Sequence, residues 1–306
     1  MKSNIRYILP VALMGLAACF VSCSEDKLSP DSVITIDKTE QNEFDKWLEV
    51  NYVNPYNIDF RYRYTDAEGH MSYYMVPSKI EDAVILAHLV KYLCLEAYDN
   101  IVGVDFTRAN FPKMIYTTGT WEFKNNGTYI LGTAEGGKKI YLMGTAYIKN
   151  YIKTAEDMNH YYLKTIHHEF THILNQTKDY SPEFKQITGT TYVSDSWSDS
   201  PYNVDYLKRV YISAYAQDEY REYFAELVSL YITNTSDQWE EWMEEAAQGN
   251  NDGKTGRELI EAKLDIVRAY MQTQWNIDLY DMRAEIQKRQ NDVVTGKVDL
   301  SDLTIK

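Results

Sequence analysis

Two histidines four residues apart, with a glutamate directly after the first, form the pattern H-E-x-x-H at His168-Glu169-Phe170-Thr171-His172. On a helix, residues four apart lie one above the other on the same face, so both imidazoles can reach a single ion. Glu169 is turned about 100° from His168, which sets its carboxylate beside the rings, where it can take a proton from water. Neutral imidazole suits Zn²⁺. Two histidines, a third protein ligand and one position left to water make a catalytic zinc site. The chemistry implied is hydrolysis.

The helix that must hold these groups is legible around them. Leu163, Ile166, Phe170, Ile173 and Leu174 recur at i, i+3, i+4 and form an apolar stripe opposite the histidines. A helix over 155–176 is predicted, with one face for the core and one for chemistry. The third ligand is not a third histidine, because position 178 is Lys and position 175 is Asn. A carboxylate from a second helix is the alternative. Glu219, Glu222 and Glu226 line one face of the segment 215–226, while Tyr220, Phe224, Leu227, Val228 and Tyr231 supply its apolar side. One of these glutamates would bind zinc. Another, one turn on, would accept the free ring N–H of a ligand histidine and fix its tautomer.

H-E-x-x-H followed at a distance by Glu222-Tyr223-Phe224-Ala225-Glu226 resembles the gluzincin metallopeptidases, and the two zinc helices look like those of the lethal-factor type. The resemblance implies Glu222 as zinc ligand, Glu226 as its supporter behind a histidine, and Tyr215, seven residues before Glu222, as a donor to the oxyanion. The 50 residues between His172 and Glu222 exceed the thermolysin-like spacing, and a helix rotated by one turn would present Glu219 or Glu226 instead. The whole order is also similar to a Bacteroidetes group, the substrate import-associated zinc metallohydrolase lipoproteins. That likeness covers the leader, the motif helix, the loop from Gly189-Thr190-Thr191-Tyr192 to Trp197, the acidic helix and Trp275-Asn276-Ile277-Asp278-Leu279. It implies a peptide or protein substrate, and a TonB-dependent importer with its surface binding lipoprotein as neighbours.

The rest of the chain supports an α+β fold: a small mixed sheet packed on the motif helix, then a mostly helical C-terminal lobe. A short helix is expected at 43–50 and an apolar helix long enough to pack at 80–98. Strands are expected at 57–64, 113–118, 128–133 and 139–143, with turns at 125–127 and 135–138. The strand 139–143 is nearest the motif helix in sequence and is expected to be the peptide-binding edge. A Ser/Thr/Asp-rich loop at 179–205 should lie beside the site, and helices follow at 257–273 and 279–289.

With 306 residues, 44% hydrophobic and 25% charged, the chain can build a sizeable core. Its net charge of −14 excludes a basic nucleic-acid stripe. Residues 1–22 read as a lipoprotein signal peptide, with Lys2 and Arg6 ahead of an apolar run too short to span a bilayer. Cys23, followed by Ser24-Glu25-Asp26-Lys27, is the expected lipidation site, with Cys19 the alternative. The expected organisation is thus a signal peptide, a lipidated tether over 23–40, a metallopeptidase domain over 41–295 (divided at 178/179) and a tail over 296–306. A lipid anchor would be the only membrane attachment, at the outer-membrane surface. Cys94 is then the one remaining thiol, in an apolar setting. The competing reading is a non-catalytic surface lipoprotein that binds peptides or glycans, suggested by 27 tyrosines and 6 tryptophans.

Overall fold

The computed structural model describes residues 40–70, 72–124, 128–135 (without the Glu135 side chain), 138–251 and 253–305. The signal peptide, Cys19, Cys23 and nearly all of the tether lie outside the described residues. Residues from Gln41 onward form one packed unit.

Strand β1 (Asp59–Arg61) opens a four-stranded sheet, and Ile58, Phe60 and Tyr62 turn to the core as their alternation predicts. It is much shorter than expected. Strand β2 (Met114–Thr117) follows, then a two-stranded ribbon of β3 (Glu122–Phe123) and β4 (Tyr129–Ile130). The turn expected between the ribbon strands, 125–127, lies outside the described residues. Strands β5 (Gly132–Glu135) and β6 (Lys139–Leu142) complete the sheet in the order β1-β2-β6-β5. β1, β2 and β6 run parallel, and β5 is antiparallel to β6. The single strand expected over 128–133 is therefore two. The larger correction concerns the edge: β6 is internal and buried along its length, and the edge strand beside it is β5, with β1 at the far side of the sheet.

Helix α1 (Glu43–Leu48) starts on a capping box of Asn42 and Asp45 and buries Phe44, Trp47 and Leu48. Helix α2 (Ile80–Val90) continues through a wider π-type turn into Glu96–Val102, so the predicted apolar helix is longer than expected. The motif helix α3 (Lys164–Thr177) is entered from Ala155–Met158 through another such turn, where the Lys164 N–H reaches back to the Asn159 carbonyl. The predicted stripe is buried throughout. α3 runs along β5 at close range. A methyl group at Gly132 would lie 2.8 Å from Thr165 Cγ2 and 2.6 Å from the Tyr141 carbonyl, so only glycine fits there.

Beyond α3, the expected loop contains a short helix α4 (Glu183–Thr188) and a single 3₁₀ turn, Ser194–Ser198. Helix α5 (Tyr220–Thr233) packs along α3. Helices α6 (Ser236–Ala246), α7 (Gly256–Trp275) and α8 (Leu279–Val294) close the C-terminal part. Their role for the site is to fix α5 along its axis. Arg283 donates to the Tyr231 carbonyl (2.7 Å), Gln287 to that of Asn234 (2.7 Å), and Gln290 and Asn159 both donate to that of Thr233 (3.2 and 2.7 Å). The carbonyls that end α5 are thereby satisfied by side chains, one of them cationic. Past α8, Leu300 reaches the core and the Asp302 carbonyl meets His88 Nε2 at 2.9 Å. Among the described residues no helix is long and apolar enough to cross a membrane.

Candidate metal centre

Three consecutive turns of α3 place Lys164, His168 and His172 on one face, toward the first half of α5. His168 Nε2 lies 2.9 Å from Glu222 Oε2 and 3.0 Å from His172 Nε2, and His172 Nε2 lies 3.2 Å from Glu222 Oε2. Among the described residues this is the one group of three such side chains converging closely enough to hold an ion. Bonds of about 2.0–2.1 Å at tetrahedral angles separate zinc ligands by roughly 3.3 Å. The observed triangle is only slightly tighter, and its N, N, O donors are those of a catalytic zinc. The residues fit the metal.

Glu226, one turn beyond Glu222, is 1% exposed. Its Oε1 is 2.9 Å from His168 Nδ1, close but not aligned on the ring N–H. Its Oε2 accepts from the Ser213 hydroxyl (2.6 Å) and pairs with Lys164 Nζ (2.8 Å). Burial alone would raise the Glu226 carboxyl, but the Lys164 charge and the His168 contact outweigh it and hold it at about 2. Burial likewise opposes a charge on His168, yet Glu222 and Glu226 lift its ring to about 9. The same histidine contacts hold Glu222, despite burial, well below the usual carboxylate range.

Glu169 stands beside the triangle without joining it. Burial raises its pKa, the two histidines oppose that rise, and the backbone of Ala134 on β5 faces its carboxylate. The reason for this orientation lies in the strand pairing. Leu131 and Met143 form a hydrogen-bonded pair (3.0 Å), and antiparallel alternation then turns the backbone groups of Ala134 away from β6. Tyr215 lies beside His168, ring centroids 5.9 Å apart, and meets Trp197 of the Ser/Thr-rich loop edge-on at 5.1 Å. Burial, reinforced by the neighbouring Glu222 charge, pushes the Tyr215 hydroxyl far up, so it stays protonated.

Of the sequence-predicted groups, His168, Glu169, His172, Tyr215, Glu222 and Glu226 gather at one place. Glu219 does not. It precedes α5 in an extended conformation, and its nearest cation is Arg221 at 3.9 Å. Lys164 and Ser213 went unnoticed in the sequence. Lys164 had a signal, four residues before His168 on the same face, whereas Ser213 had none.

The adjacent histidine, His167, faces the opposite way, fully buried. The Tyr98 hydroxyl is 3.1 Å from its Nδ1 and the Cys94 thiol 3.9 Å from its Nε2. Burial lowers its pKa to about 3, so the fold requires the neutral ring. Between the unfolded value of about 6.5 and 3, the unfolded chain binds the extra proton, and stability falls as pH drops through that window. The expected slope from this residue is roughly 1.4 kcal/mol per pH unit. Denaturant unfolding at pH 7, 5.5 and 4.5 should show a steeper loss in the wild type than in His167→Gln. Parallel losses would assign acid sensitivity elsewhere.

A mixed sheet with a two-histidine helix on its antiparallel edge, and a helical second half supplying the acid, define an α+β protein of zinc-metallopeptidase type. The family model described as putative zinc-binding metallo-peptidase matches residues 37–280, and the chain belongs to that family. The fold is similar to a crystal structure described as a putative zinc-binding metallo-peptidase from Bacteroides caccae. The two share 36% sequence identity with a TM-score of 0.72, over 89% of this chain and 100% of the other. Among curated proteins none matches.

Proposed function

We propose that the protein is a zinc-dependent peptidase in which Glu169 is the general base. The observation that supports this most is the position of Glu169. Its partly buried carboxylate stands beside, and outside, a triangle of His168, His172 and Glu222. A structural metal has no use for such a group. Zinc held there would lower the pKa of a water at its open position toward about 7 and polarise the scissile carbonyl. Glu169 takes the proton from the attacking water and passes it to the leaving nitrogen. Tyr215, protonated at all working pH values, donates to the oxygen that becomes negative. Lys164, Ser213 and Glu226 hold the His168 ring in place from behind. The outer edge of β5 suits an extended peptide, with the backbone groups of Gly132 and Ala134 facing away from β6. A chelator should abolish cleavage of a mixed peptide library and one equivalent of Zn²⁺ should restore it. One zinc per chain with no peptide cut would favour the binding lipoprotein instead.

The location is proposed from the leader alone: lipidation at Cys23, with the enzyme at the outer-membrane surface beside an importer that takes up the products. Acyl labelling should vanish in Cys23→Ala and persist in Cys19→Ala; the reverse pattern moves the anchor to Cys19.

A further inference from the structure

From His172 a cleft of about 620 Å³ runs along the last turn of α3 to the start of α5, within the size range of specific ligand sites. We propose that it is the specificity subsite of the peptidase, and that it takes a substrate carboxylate next to the scissile bond. This deepens the peptidase reading and rests on it.

Three observations carry the proposal. Asn175, one turn past His172 on the same helix, lines the cleft with both atoms of its amide buried and without a hydrogen-bond partner. The Tyr180 hydroxyl, in the same wall, is equally unpartnered. Leaving such groups unsatisfied is costly, and a bound peptide would supply what they lack. An amide offers two N–H donors to a carboxylate and one acceptor to a peptide N–H.

The second observation is charge. The chain carries a formal −14, yet Lys185 and Arg221 both line this cleft, against Asp179 as the one carboxylate among its lining residues. The two cations lie over the Tyr220 ring, 4.7 and 5.4 Å from its centre. Lys185 has no ion-pair partner among the described residues, and Arg221 has only the distant Glu219. A charge of this sign beside the reaction centre, in an otherwise acidic protein, discriminates by attracting anionic segments.

The third is backbone. Glu219 caps α5 without a side-chain hydrogen bond, so the first N–H groups of that helix, at Tyr220 and Arg221, are left for an anion at the cleft. Asn175 and the two cations thus surround one volume from separate elements, α3, α4 and α5.

The carboxylate could belong to an acidic side chain or to the free C-terminus of the substrate, and the test separates them. Zinc-loaded enzyme is given matched peptides with Glu or Gln at each position flanking the cleaved bond, each with a free or an amidated C-terminus. The expected result is at least tenfold higher kcat/KM for one carboxylate-bearing set over its neutral match, shrinking as salt rises. In Lys185→Gln/Arg221→Gln and in Asn175→Ala that ratio should fall toward one, with zinc content unchanged. Equal cleavage of charged and neutral peptides by the wild type, or a ratio untouched by these substitutions, overturns the proposal. The peptidase reading is judged separately, by titrating the same peptides into zinc-loaded Glu169→Gln. Carboxylate-dependent binding that the cleft substitutions abolish would support the subsite even if no peptide were cut. No difference in binding there would overturn it.

Discussion

Glu169→Gln is expected to lower kcat for peptide cleavage by about two to four orders of magnitude while the protein keeps one zinc per chain. The substitution is nearly isosteric, so the amide can take the place of the carboxylate beside the metal site. None of the three converging ligand atoms belongs to Glu169, so the metal triangle is untouched. What disappears is a proton acceptor whose pKa burial has raised, which makes it a better base than an exposed carboxylate. Deprotonation of Glu169 also governs the acid limb of the kcat/KM profile, so that limb should flatten in the variant. Zinc analysis, steady-state kinetics and a pH series check the three parts together. Turnover at the wild-type rate with zinc bound would place the base elsewhere.

How much of this was legible beforehand follows from the range of the forces involved. The two-sided character of α3 was readable because helical periodicity is local: the stripe from Leu163 to Leu174 and the histidine face lie within one element. The choice among Glu219, Glu222 and Glu226 was narrowed by family resemblance but could not be fixed from spacing. It depends on where α5 begins and how far it slides along α3. Both are set by distant partners, including Arg283 and Gln290 on α8, some fifty residues on from the carbonyls they cap. An edge of the sheet was misread for a similar reason. The strand closest in sequence to the motif helix is β6, but strand order is decided by pairing across the sheet, and β5 takes the outer place. Cys94 shows the converse: its apolar neighbours in sequence already implied burial, and it sits in the core.

Glu222→Ala should cost more zinc affinity than any substitution behind it. It removes one of three protein ligands and leaves His168 and His172 to share an ion alone. Glu226→Gln keeps all three, and only loosens the His168 ring; an expected loss of about 10–100-fold suits a supporting group of that kind. Zinc binds the native state, so thermal unfolding reads both effects. Stabilisation follows RT ln(1 + [Zn]/Kd), about 2.7 kcal/mol at a hundred times Kd. Wild type should gain stability at micromolar zinc, Glu226→Gln should need more zinc for the same gain, and Glu222→Ala should gain nothing. In metal-free protein the order should invert, because Glu226 is the buried partner of Lys164 whereas Glu222 is partly open. Removing one member of a buried pair strands the other charge, although Lys164, at 28% side-chain exposure, can turn partly to water and soften the loss. Lys164→Met combined with Glu226→Gln should therefore destabilise by less than the sum of the two, with a coupling of about 0.5–3 kcal/mol. Strict additivity would mean that the ion pair does not hold Glu226 in place, and that His168 is oriented by Ser213 and packing alone.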